Sequence, residues 1–214
     1  GLSMRLYFAR HGESEANVLR IISTQDWKHP LTELGRAQAQ GLADRLRGEG
    51  ITHLFSSPVQ RAVETAEIIS ATLGVPNHQV EALRENNNGS LEGRSDAEAW
   101  QIYERAMEQW YKEVLDARIA DGETLGELQA RFGAFIRGLL AEHGKSASRM
   151  VLVGHGGLFR AGLPVVLERI DPTFSWSHPL ANCAMVVAEA RDGKLECIHW
   201  DGADLGWRKG GQYG

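Results

Sequence analysis

The chain has 214 residues, 43% hydrophobic and 24% charged, a balance that suits one large domain or a core domain carrying an insertion. Its formal charge of -5, without a basic tail or Arg/Lys block, argues against a nucleic-acid partner, and no apolar run approaches a membrane span. Two cysteines point to a reducing, cytoplasmic setting, and Gly1-Leu2-Ser3 ahead of Met4 reads as a tag remnant, leaving 4–214 as the domain.

Arg5 to Ala9 reads as a short buried strand that delivers Arg10-His11-Gly12 into a turn. Thr32 is an N-cap, and its helix runs to about Leu46. A second strand, Ile51 to Phe55, ends at Ser56-Ser57-Pro58, where Ser57 is expected to cap a helix with Pro58 as its first residue, continuing to about Leu73. From Asp96 to Leu115, Trp100, Tyr103, Met107, Trp110 and Val114 fall on one helical face, which reads as ordinary packing with a wall of the substrate pocket as the alternative. Thr124 and Glu127 form a capping box for the next helix.

Met150 to Val153 is the third buried strand, and it too ends in a polar turn, Gly154-His155-Gly156-Gly157, before a helix from about Leu158. Ala184 to Ala190 and Lys194 to Trp200 flank Asp192-Gly193, a strong hairpin signal. A two-residue loop there sets Ala188 opposite Cys197, so no Cys183–Cys197 disulfide is expected. The Gly-rich end after Asp201 is expected to be mobile. The strand, turn, helix order predicts an α/β fold of three layers, α/β/α, with a mainly parallel central sheet carrying an antiparallel edge and residues 86–122 as a small helical cap.

Open α/β sheets bind ligands beyond the carboxyl ends of their strands, where this sequence places Arg10 and His11, Arg61 one turn into the following helix, and His155. Arginine forks and helix N-termini suit phosphate oxygens. A neutral imidazole can attack phosphorus without first losing a proton, which makes His11 a candidate nucleophile. Glu85, in a loop rich in Asn, is the candidate proton donor to the leaving oxygen. No Cys or carboxylate stands at ligand spacing from His11 or His155, so no metal is expected.

These residues fall in ordered motifs that resemble the histidine phosphatase superfamily, the phosphoglycerate mutase-like group. Arg10-His11-Gly12-Glu13-Ser14-Glu15-Ala16-Asn17 resembles its signature, Pro30 to Gly35 the next helix start, and Ser56 to Ala66 the segment bearing the second arginine. Leu83-Arg84-Glu85 with Gly89 and Glu92-Gly93 resembles the acid loop, and Val153 to Gly157 the second-histidine motif. The resemblance implies a phosphoglycerate mutase-like fold and a metal-independent, cofactor-free phosphoric monoester hydrolase of histidine acid phosphatase type. It assigns His11 as the phosphorylated nucleophile, Arg10, Arg61 and His155 as the phosphate clamp, Glu85 as the acid, and Asn17, Ser23 and Thr24 as substrate contacts. Asn182 is expected to be structural. The implied partner is a small phosphorylated substrate, and a homodimer stays open.

This chain departs from the family where Ser23-Thr24 stand in place of a frequent glycine, where Leu91 replaces a frequent Trp, and in the run Asn86-Asn87-Asn88, which reads first as a plain turn. The short segment from Glu85 to Asp96, with Arg94 its one basic residue, favours a phosphatase over a phosphoglycerate mutase. A non-catalytic phospho-ligand binding protein is a third reading, disfavoured because all five catalytic positions hold competent residues.

Overall fold

In the computed structural model, which describes residues 1–24 and 28–206, β1 (Arg5–Arg10) is an interior strand. Its apolar run is continuous because both faces are covered: Leu6 and Phe8 enter one core and Tyr7 and Ala9 the other. Among the described residues, four further strands and seven helices precede the last strand. After α1 (Glu15–Leu19) and α2 (Glu33–Leu46) come β2 (His53–Ser56), α3 (Gln60–Leu73) and β3 (Asn77–Gln79). Two single 3₁₀ turns, Glu81–Leu83 and Gly89–Leu91, lead to α4 (Ala97–Tyr111) and α5 (Leu125–His143). The chain then forms β4 (Arg149–Gly154), α6 (Gly156–Val166), α7 (Pro172–Ser177), β5 (Met185–Arg191) and β6 (Lys194–Trp200).

The sheet order is β3-β2-β4-β1-β5-β6. The pairs β1–β4, β2–β4 and β2–β3 are parallel, while β1–β5 and β5–β6 are antiparallel, so the antiparallel edge is present as the sequence implied. Met150 and Leu152 of β4 join the core under α5 and α6, and Val151 and Val153 join the core under α2 and α3. That two-sided alternation makes the three layers. Register carries the site, because Arg10 pairs with Gly154 and so the residues after both strands leave the sheet side by side.

Several boundaries differ from the sequence reading. Ser57 does not cap α3; its N–H still bonds Val153 O, as a continuation of β2, and Val59 is the N-cap. The α4 helix stops at Tyr111 because Glu113 adopts a left-handed φ of 61°. The α6 helix begins two residues early, at Gly156, with His155 as its N-cap. The short elements α1, β3 and α7 carry too few periodic residues to have been read. Asp192 and Gly193 have φ of 53° and 76°, as the primed two-residue turn requires, Ala188 faces Cys197, and no disulfide joins Cys183 to Cys197. Of the Gly-rich end, 207–214 lies outside the described residues. Among the described residues no helix is long and apolar enough to cross a membrane.

Candidate active site

Where β1 and β4 end, the imidazoles of His11 and His155 lie with ring centroids 5.2 Å apart, 3% and 0% exposed as residues. The backbone at His11 is held on both sides. Its N–H bonds Gly154 O, Asn182 Nδ2 donates to its carbonyl, and the following Gly12 N–H donates to Thr65 Oγ1 at 3.1 Å. Gly12 lies so close to Gly35 that an added Cβ would strike the Gly35 backbone.

The His11 ring places Nδ1 2.6 Å from Gly12 O, and a carbonyl can only accept, so the proton sits on Nδ1. Nε2 therefore carries the lone pair, and it accepts from Arg61 Nε at 3.2 Å. Burial, then the Arg61 and Arg10 guanidiniums, push this imidazole well below its ordinary 6.5, so it is neutral at neutral pH.

His155 has Nε2 2.8 Å from Ser57 Oγ. In the tautomer in which Ser57 Oγ, an acceptor for Val59 N, gives its own hydrogen to Nε2, the ring proton falls on Nδ1. That Nδ1 is buried without a partner, a donor suited to a phosphoryl oxygen. Burial and Arg61 keep His155 neutral as well.

Arg61 is 4% exposed, gives one NH2 hydrogen to Ser23 O at 2.7 Å, and is pushed down to about 10 by burial, still charged at neutral pH. Arg10 bonds Leu180 O through NH1, while its buried Nε has no partner. Two guanidiniums and two neutral imidazoles thus gather where no carboxylate pairs with Arg10 or Arg61 at ion-pair distance among the described residues, a local surplus of positive charge in an acidic protein.

Glu85 faces this cluster from the acid loop. Its carboxylate caps α6, accepting from Gly157 N at 3.0 Å and Leu158 N at 2.6 Å. The loop itself is anchored by Arg131 of α5, which donates to the carbonyls of Ala82, Arg84 and Glu85 and, through Nε and NH2, to Glu123. The other two nearby carboxylates are engaged elsewhere: Glu13 accepts from Thr32 Oγ1, and Glu92 from the N–H and hydroxyl of Thr24.

Arg10, His11, Arg61 and Glu85 line one cleft of about 130 Å³, and so do Asn17, Ser23 and Thr24. His155 does not line it; fully buried, its ring sits beside that of His11. Asn17 uses Oδ1 to complete the capping box of α1, and Thr24 gives its hydroxyl to Glu92, whereas Ser23 Oγ is buried without a partner. Trp100 and Tyr103 of α4 line the same cleft while Met107 and Trp110 enter the core, and Val114 lies beyond the helix end.

Sequence reasoning missed Ser57, Thr65, Glu92 and Arg131 as supports. Ser57 was absorbed by a capping pattern, and nothing local marks Arg131, whose loop partners lie more than forty positions away in the chain. No cluster of three His, Cys, Asp or Glu suited to a metal ion exists among the described residues.

The sequence profile of the histidine phosphatase superfamily (branch 1) matches residues 6–202. The "Probable phosphoglycerate mutase GpmB" of Proteus mirabilis (strain HI4320) is 38% identical over 178 residues, covering 78% of this chain and 79% of its own. Among solved structures, Bacillus stearothermophilus YhfR superposes with a TM-score of 0.80 at 26% identity over 95% of this chain and 98% of its own. The mycobacterial glucosyl-3-phosphoglycerate phosphatase complexed with VO3 does so at 0.79 and 25% identity, over 93% and 99%.

Proposed function

The chain belongs to the histidine phosphatase superfamily, and from that premise we propose that it is a phosphatase that hydrolyses phosphomonoesters through a phosphohistidine on His11, without a metal. The observation that carries this reading is the His11 ring: neutral, its proton committed to Gly12 O, its Nε2 lone pair turned to Arg61 in the cleft.

In the first step Nε2 forms a bond to phosphorus as the bond to the ester oxygen breaks, and that oxygen takes the proton of the Glu85 carboxyl. Arg10, Arg61 and the His155 Nδ1–H offset the charge on the equatorial oxygens, which draw the Arg61 Nε–H away from the nucleophile. In the second step Glu85 takes a proton from water, the water oxygen bonds phosphorus, the P–N bond breaks, and inorganic phosphate leaves a neutral His11.

The name carried by the Proteus relative favours a second reading, phosphoglycerate mutase. A mutase must hold the sugar-acid carboxylate and shield phosphohistidine from water. Arg94, the sole basic residue between Glu85 and Asp96, is paired with Asp96 through its Nε and one terminal nitrogen, at 2.9 and 2.8 Å. Phosphatase chemistry asks for no such group.

The test is rapid quenching during turnover of an aryl phosphate in excess chelator. An acid-labile, base-stable adduct on the His11 peptide, absent in His11→Ala, is expected. Normal turnover by His11→Ala, or activity that requires a divalent ion, overturns the proposal. Efficient isomerisation of 2- and 3-phosphoglycerate would favour the mutase.

A further inference from the structure

Buried polar atoms without partners are unusual, because each forfeits its bond to water. Among those in the described residues are Arg10 Nε, Ser23 Oγ and Asn86 Oδ1, all on residues that line the cleft. Asn86, the residue after Glu85, is 1% exposed and lines it; its Nδ2 donates to Asn88 Oδ1 at 2.6 Å, and its own Oδ1 is buried with no partner. Ser23 Oγ is in the same state on the loop across the cleft.

The chemistry of Oδ1 limits what it can meet. A carbonyl oxygen only accepts, and so do the oxygens of an ionised phosphoryl group, so Asn86 Oδ1 cannot hold the phosphate. It needs a donor. A hydroxyl on the alcohol half of the substrate can supply one, because that half lies beside Glu85, which protonates its oxygen. The remaining wall, Trp100 and Tyr103 with rings 5.6 Å apart and near perpendicular, offers flat apolar faces against which C–H groups pack while hydroxyls point to the amide side.

We propose that Asn86 is a specificity-determining residue that reads a hydroxyl of the leaving alcohol, and that the substrate is a phosphorylated polyol or sugar rather than an alkyl or aryl phosphate. This deepens the phosphatase reading and rests on it. A site whose buried acceptor is left empty by an analogue discriminates against that analogue more strongly than an apolar wall rejects a surplus group.

The experiment compares kcat/KM for glycerol 1-phosphate and its 2,3-di-O-methyl ether, leaving groups of similar acidity of which only the first has hydroxyl hydrogens. The native enzyme should prefer glycerol 1-phosphate by about tenfold, the scale of one well-placed hydrogen bond, and Asn86→Leu should bring the ratio toward one. Asn86→Ala removes the same acceptor without added volume and serves if the Leu variant does not fold. A native ratio near one, or a ratio that both variants leave unchanged, overturns the proposal. An equal slowing of both esters by the variants does so too, because it assigns Oδ1 to the attacking water. Failure of the native enzyme to release phosphate from either ester or from p-nitrophenyl phosphate overturns the phosphatase reading, and this one with it.

Discussion

Replacing Arg131 with Met keeps the stem of the side chain against α5 and removes five donated bonds. Two go to Glu123, at 2.7 and 3.0 Å, and three to the carbonyls of Ala82, Arg84 and Glu85, at 2.9, 2.9 and 3.2 Å. Breaking a fully buried ion pair costs roughly 3–5 kcal/mol. The Arg131 and Glu123 side chains keep 25% and 11% exposure, so water recovers part of that, and about 2–3 kcal/mol is the reasonable loss. For a domain of this size each kcal/mol moves Tm by about 2–4 °C, so a fall of roughly 4–12 °C is expected by calorimetry.

The kinetic consequence is more specific. With its backbone anchors gone, Glu85 loses its place against the ester oxygen, and proton transfer contributes about 10²–10⁴ to such reactions. Hydrolysis of an alkyl phosphate should fall about 100-fold or more, while an aryl phosphate, whose phenolate leaves unaided, should fall only a fewfold. Arg131→Lys, which restores charge but not the fork, should recover part of the stability and little of the alkyl rate. A Tm within about 2 °C of native, or equal losses on both esters, would refute the claim that Arg131 acts through Glu85.

Three other outcomes follow from the site and its surroundings. Glu85→Gln should lower alkyl phosphate turnover by about 10²–10⁴ and aryl turnover far less; equal losses would move the acid role to another group. In the free protein at pH 6, nitrogen NMR should show His11 neutral with the proton on Nδ1, because burial, Arg61 and Arg10 hold it well below 6.5; an imidazolium signal at that pH would contradict the nucleophile's state. Burial pushes the Asp201 carboxyl up, but bonds from His199, Arg45 and the Met185 N–H outweigh it and hold it well below 3.8. Its contribution is therefore complete above pH 3.8 and is lost as pH falls toward the folded value, so Asp201→Asn should flatten the acid limb of the unfolding curve, and an unchanged limb would deny the linkage.

Much of the fold was legible because its central strands are buried on both faces. Such strands read as unbroken apolar runs, and Arg5 to Ala9 and Met150 to Val153 needed no partner to be recognised. Chemistry-bearing residues at strand ends were legible for the same reason, since His11 and His155 stand next to those runs. What stayed hidden depends on distant parts of the chain. Ser57 reads as a cap until β4 brings His155 to it, and Asn86-Asn87-Asn88 reads as a turn until α6 and α4 enclose two of the three side chains. Thr24, expected to contact substrate, lines the cleft and also donates to Glu92, a bond between segments that no local pattern connects.

The strand order also sets a schedule. Both neighbours of β1, β4 and β5, belong to the last third of the chain, so the first strand made on the ribosome waits for that third to be enclosed. Until Arg149 and the residues beyond it have emerged, Leu6, Tyr7 and Phe8 lie on an unpaired strand open to any other edge, and His11 has neither Gly154 to bond nor His155 beside it. A nascent chain of this topology has every incentive to be shielded early and gains its chemistry all at once near the end, and a fragment ending before β4 would be both sticky and inert.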